Sequence, residues 1–212
     1  MPSRRRLISA LGAYLALAAA PRTFAGAQQY EVLSASVRAT LASAVKDRGT
    51  VNWKDLDMRA WVRAMTRRVS GRFPDEESAR RFLALVRYES LRAGLDPHLV
   101  LAVIEVESKF HKYAVSSAGA RGFMQVMPFW VKLIGGTGDH NLFHLRTNLR
   151  YGCTILRHYL AIENGDYYRA LGRYNGSLGK PEYPNLVLAS WTNYWKYDRP
   201  KFAAISTSNQ IK

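Results

Sequence analysis

Apolar residues recur along the chain at the three-to-four-residue spacing of amphipathic helices, and runs of strict alternation are scarce. From Trp53 to Val69 the positions Trp53, Leu56, Ala60, Trp61, Ala64 and Met65 share one face, which predicts a helix. Arg59, Arg63 and Arg67 fall at i, i+4 and i+8 on another face. Like charges in such a stripe mildly oppose helix formation, so the stripe reads as a solvated basic face or as a contact for a polyanion. Phe73-Pro74 interrupts the pattern, and Asp75-Glu76-Glu77 opens the next helix with acids at the positive end of the helix dipole. Ala79, Phe82, Leu83 and Val86 give that helix a single apolar stripe, and Gly94 ends it.

Asp96-Pro97 then starts a helix of a different kind, with Asp as N-cap and Pro in the first turn. Leu99, Val100, Leu101, Val103, Ile104 and Val106 leave it apolar almost all round, so it belongs in the middle of a core. After Phe110 comes a Ser/Ala/Gly-rich stretch, Ala114 to Gly122, followed by Phe123-Met124-Gln125-Val126-Met127-Pro128. Helical patterning resumes from Leu145 to Ala161, Tyr167 to Tyr174 and Tyr183 to Trp195, with loops at 135–139 and 176–184. Residues 199–212 lack a clear period and read as a tail.

Composition is that of a globular chain, with 48% hydrophobic and 22% charged residues among 212. The first residues change the picture. Arg4, Arg5 and Arg6 precede an uncharged apolar run from Leu7 to Ala20, and Ala25-Gly26-Ala27 supplies small residues beyond it. This order is that of a secretory signal peptide, cleaved after Ala27. The run is shorter than the about 20 residues needed to span a bilayer, so no transmembrane anchor is expected after cleavage. The arginine cluster also resembles a twin-arginine signal and leaves the export route open.

Residues 1–27 hold four arginines and no acid, so their removal lowers the net charge from +15 to +11. That excess favours anionic polymers, and export disfavours nucleic acid among them. Cys153, the single cysteine, sits in a helical apolar pattern and reads as a buried structural thiol. With one cysteine no intramolecular disulfide can form. No Cys/His cluster has metal-ligand spacing, so no metal and no other cofactor are expected.

Glu107 stands out chemically. It lies at the end of the most apolar helix, beside Val103, Ile104 and Val106. Burial and the negative end of the helix dipole both disfavour its charged form and push its pKa upward, as a general acid near neutral pH requires. Glu105 is a rival. Two residues correspond to about 200° of helix rotation, so the two side chains face opposite ways and cannot act as a pair. Physical chemistry alone leaves the choice between them open.

The order of motifs resembles that of the soluble lytic transglycosylase family, with its lysozyme-like catalytic domain. The residues that carry the resemblance are Glu107-Ser108, then Gly119 to Pro128, then Asn148-Leu149 with Gly152, then Tyr174-Asn175-Gly176, and together they span roughly residues 75 to 195. The resemblance implies that Glu107 is the single catalytic acid/base. It implies that Ser108, Met124 and Gln125 hold the substrate along the groove wall. Tyr174 is implied as the hydroxyl that orients the glutamate, Asn175 as the residue that positions the N-acetyl group, and Tyr183 as a second hydroxyl near the acid. For Ser108, Met124 and Tyr183 the bland alternatives are a helix-end cap, core packing and aromatic packing of the last helix. His111-Lys112, Phe123 and Gly172-Arg173 depart from the family's common pattern without touching the residues assigned to chemistry.

Glycosidases commonly use two carboxylates, yet the matched motifs hold one. Asp139, Glu163, Asp166 and Glu182 fall in loops or at helix ends, where solvated acids are the default. The resemblance therefore implies non-hydrolytic cleavage of the MurNAc-GlcNAc β-1,4 bond with substrate assistance, leaving 1,6-anhydromuramic ends. A hydrolytic lysozyme of related fold and a non-catalytic wall-binding scaffold are the alternatives. The expected architecture is mainly α. A signal peptide (1–27) and an N-terminal helical extension (28–72) precede a lysozyme-like catalytic domain (73–198) and a tail (199–212). The chain would be periplasmic or secreted and act on peptidoglycan glycan strands, with cell-wall or secretion machinery as candidate partners.

Overall fold

The computed structural model describes residues 28–46, 49–135 and 140–197; the expected signal peptide and tail lie outside them. Among the described residues eight α-helices run in order: α1 (Ala35–Lys46), α2 (Leu56–Arg68), α3 (Glu76–Arg92), α4 (Pro97–Ser108), α5 (Phe129–Ile134), α6 (Leu145–Ile162), α7 (Tyr167–Asn175) and α8 (Glu182–Ser190). A single π-helical turn, Trp191–Trp195, continues α8. Among the described residues extended pairing is confined to isolated bridges of Arg121 with Val115 and Val126, so the protein is mainly α as its periodicity implies. None of the described helices is long and apolar enough to cross a membrane.

The helix starts follow the capping residues. Asp55, Asp75, Asp96 and Asp166 each accept a backbone N–H of the first turn with their side chains, which satisfies donors that a helix start leaves orphaned. α1 and α5 are the elements that periodicity alone did not delimit. α1 buries only Leu41 and Val45, and α5 has six residues, too few for a period to emerge.

α4 is the central element. Leu99 to Ile104 are fully buried, and α3, α8 and the π turn pack against it. One continuous apolar cluster runs from Leu33 and Leu41 of the extension through Met58, Trp61 and Met65 of α2 to Trp195. The extension is thus part of the same core, with α1 on α5 and α6 and α2 on α3. The stripe Arg59, Arg63 and Arg67 lies on the exposed face of α2. Cys153 is fully buried, and burial pushes its thiol well above the ordinary range.

A buried ion cluster ties α3 to α6. The fully buried Glu89 accepts from Arg92 Nε at 2.8 Å and from Arg150 Nη2 at 2.8 Å, with Arg146 Nε at 3.4 Å. A buried carboxylate persists only when it is paired in this way. Glu163 is a second such case and corrects the expectation of a solvated acid. It is nearly buried and held by Arg169 and Arg173, which keep its carboxyl below the usual range.

Candidate active site

α4 ends where Lys109 and Phe110 both take positive φ, at 49° and 66°. The chain therefore turns away immediately after Glu107-Ser108 and leaves the glutamate on the last turn of a buried helix. Ser108 Oγ donates to Ile104 O at 3.1 Å, and the residue is buried. That is the helix-end alternative rather than a groove contact.

Glu107 is half-buried as a residue, and the carboxyl is its buried end. Tyr183 Oη donates to Glu107 Oε1 at 2.7 Å. Glu107 Oε2 and Asn175 Nδ2 are both shielded from solvent and lack a hydrogen-bond partner. The Asn175 amide nonetheless lies close enough to favour the ionised carboxyl, though short of hydrogen-bond geometry. Desolvation dominates these effects and raises the Glu107 pKa to about 8, against the opposing pull of Tyr183 and Asn175. Among the described residues no charged side chain contributes to that balance. Burial and the neighbouring Glu107 likewise hold the Tyr174 and Tyr183 hydroxyls well above their ordinary range, so both are neutral donors.

The rival is disposed of by its partners. Glu105 Oε1 accepts from Arg72 Nη2 at 2.9 Å, while its Oε2 accepts from Ser190 Oγ at 2.7 Å and Trp195 Nε1 at 2.9 Å. It fastens the α2–α3 link, the end of α8 and the π turn to α4.

The Gly122–Pro128 segment is a tight loop closed by reciprocal bonds, Arg121 N to Val126 O and Val126 N to Arg121 O, each 3.0 Å. Gly122 has φ 74°, and a Cβ there would come within 2.5 Å of Asn148 Nδ2 and 2.6 Å of Leu142 O. Only glycine tolerates both conditions. Asn148 is the anchor: Oδ1 accepts from Met124 N at 2.8 Å, and Nδ2 donates to Arg121 O at 2.8 Å and Leu142 O at 2.9 Å. The sequence offered Asn148 only as part of a motif. That its amide holds the loop could not be seen without the fold.

Several of the expected site residues lie in or against this loop. Met124 is fully buried against Gly152 in the core, which is the core-packing alternative. Gln125, at φ 48°, is 4% exposed, and its Nε2 donates to Ala114 O at 3.1 Å and Gly122 O at 2.9 Å. Its amide is thus occupied in holding the loop. Tyr174 Oη donates to Met124 O at 2.8 Å and not to the glutamate. The hydroxyl that meets the glutamate is that of Tyr183, which arrives from α8. Tyr174 instead supports the loop. Asn175, the last residue of α7, is placed by Gly176 at φ 73°, whose N–H caps Arg173 O at 3.0 Å.

Residues 84–183 match the family model of the transglycosylase SLT domain. The chain is 37% identical over 116 residues to membrane-bound lytic murein transglycosylase C of Mannheimia succiniciproducens, covering 48% of this chain and 32% of that one. Over 53 residues it is 57% identical to the protein of the same name from Glaesserella parasuis, covering 25% of this chain and 15% of the relative. The chain thus spans about a third or less of the length of these curated relatives. An inactive mutant of the lytic transglycosylase Slt from Pseudomonas aeruginosa superposes with a TM-score of 0.44 at 21% identity, over 73% of this chain and 27% of that one. Over residues 84–183, just under half of its length, the chain is thus similar to the transglycosylase SLT domain and to lytic murein transglycosylases that carry the name C.

Proposed function

We propose that the protein is an exported peptidoglycan lytic transglycosylase that cleaves the MurNAc-GlcNAc β-1,4 bond without water. The observation that carries the reading is the Glu107 carboxyl, buried without a charged partner and raised to about 8. It therefore holds a proton at neutral pH, as a general acid must. The match of residues 84–183 to the transglycosylase SLT domain supports the substrate class.

Tyr183 occupies Oε1, which leaves the unpartnered Oε2 to carry the proton towards the glycosidic oxygen. Unsatisfied buried polar atoms call for an explanation, and a bound sugar supplies one for both orphans. The glycosidic oxygen would meet Oε2, and the N-acetyl carbonyl oxygen would accept from Asn175 Nδ2. As the bond to C1 breaks, the acetamide oxygen of the muramic residue stabilises the cationic carbon, an assistance recognised among glycosidases with one carboxylate. The ionised Glu107 then takes the proton of the C6 hydroxyl, and O6 closes on C1 to form the 1,6-anhydro ring. One proton leaves Glu107 and one returns, so the site is reset. The residues before Gln28 fit a secretory signal, which would deliver the enzyme to the periplasm or the medium.

Purified sacculi incubated with wild type and with Glu107→Gln test this directly. Anhydromuramic ends from wild type and none from the variant are expected by mass analysis. Reducing ends would replace the reading with a hydrolytic lysozyme, and equal release from both proteins would remove the enzyme claim.

A further inference from the structure

The site has a fourth wall that no motif marks. Gln28 lies ahead of α1, yet it is 4% exposed and buried beside the loop that carries Met124 and Gln125. Its Nε2 donates to Gln125 O at 3.4 Å, and its Oε1 accepts from Met127 N at 3.2 Å. One side-chain amide therefore grips both the acceptor and the donor of a backbone stretch about a hundred residues away, 97 and 99 positions on. The same amide lies beside the Tyr174 hydroxyl, which in turn donates to Met124 O.

Two neighbours extend the grip. Tyr30 packs edge-on against Phe129 with ring centroids 5.6 Å apart, and Glu31 pairs with Arg173 of α7 at 3.3 Å. Residues 28–31 thus lie across the catalytic loop and reach α7, the helix that ends in Tyr174 and Asn175. Without Gln28, the buried Gln125 carbonyl and the half-buried Met127 N–H would lose these partners. Buried backbone groups rarely stay unpaired, so the loop would shift or admit water.

We propose that Gln28 is a positioning residue of the active site, and that residues 28–31 form a strap through which the N-terminal extension holds the catalytic loop and α7 against Glu107. The proposal rests on Glu107 as the acid, and it gives the extension a task inside the site. The strap acts by keeping water out and Met124 O in place for Tyr174. The groups facing Glu107 are Tyr183 and Asn175, with Tyr174 within the field of the carboxyl, and none of them carries charge at neutral pH.

Gln28→Met in the full chain tests it, because methionine fills similar volume without either hydrogen bond. The control is Leu41→Ala, which weakens the packing of α1 away from the strap. In Gln28→Met the Met127 amide is expected to exchange with solvent at least about tenfold faster under native conditions. The Glu107 carboxyl, followed by carbon NMR, is expected to titrate at lower pH as water enters. On glycan, kcat per folded molecule is expected to fall about tenfold with KM within about twofold, since misplacement distant from the chemistry lowers turnover. Leu41→Ala is expected to lower Tm and change none of these readouts. An unchanged Met127 exchange rate and Glu107 titration in Gln28→Met would overturn the strap, and so would matching shifts in Leu41→Ala. Wild type that fails to cut glycan would remove the proposed activity, while exchange and titration would still decide whether Gln28 positions the loop and the carboxyl.

Discussion

Glu105 and Glu107 stand two residues apart on α4, and the fold treats them in opposite ways. Glu105 meets a guanidinium, a hydroxyl and an indole N–H, so both of its oxygens are occupied. Glu107 meets a single tyrosine hydroxyl and keeps one oxygen bare. Glu89 and Glu163, likewise shielded, are clasped by arginines. What separates a structural carboxylate from the proposed acid here is not depth but company. A buried carboxyl given cations joins helices, and one given no charged partner keeps its proton.

The comparison breaks first at Glu107 itself. Glu107→Gln keeps the shape and removes the proton donor, and the expected loss of glycan release is on the order of 100- to 10,000-fold, as for a general acid–base group. Thermal unfolding should show no loss of stability at neutral pH, because the amide needs no ionisation. Glu105→Gln is the mirror experiment. Turnover per folded molecule should hold, while unfolding in urea should reveal a loss of about 1–3 kcal/mol from partners left poorly paired.

pH sharpens the same contrast. The Glu107 carboxyl is raised from 4.5 to about 8, so the folded state binds a proton that the unfolded state has released between these values. Stability should then fall as pH rises through that window and level off above about 8. Denaturation series in Glu107→Gln should lack this component. The rate should decline on the alkaline side near the same value, as the acid loses its proton.

Smaller effects belong to the two tyrosines. Tyr183→Phe removes the hydroxyl that favours the ionised carboxyl. Its pH–rate profile should move to higher pH on the alkaline side, with turnover down by about tenfold through a misoriented acid. Tyr174→Phe frees Met124 O instead, so its loss in turnover should be smaller than that of Tyr183→Phe when both are assayed on one sacculus preparation. A larger loss in Tyr174→Phe would reverse the roles the structure gives them.

Most of the helices were legible because their signals are local. The bounds expected for the helices at 145–161 and 167–174 differ by one residue from those observed, and Asp96-Pro97 caps α4 as its residue types imply. Glu107 was legible as a candidate through its place on an apolar helix. The groove residues were less so. Motif order brought Met124, Gln125 and Tyr174 to notice, yet a motif reports that residues matter and not what they touch. Met124 and Gln125 proved to build the loop, and Tyr174 to hold it. Gln28 gave no signal at all, since a lone polar residue outside any helical period resembles any other loop position.

By itself the sequence determined a helical protein with one exceptional helix, a carboxylic acid at its end and ordered motifs around it, because period, caps and breakers act over a few residues. Tertiary structure alone decided which hydroxyl meets the acid, which glutamates receive cations and what closes the loop. Those contacts join positions 76 and 97 residues apart, and burial, the force that raises the carboxyl to about 8, exists only once such distant segments have packed together.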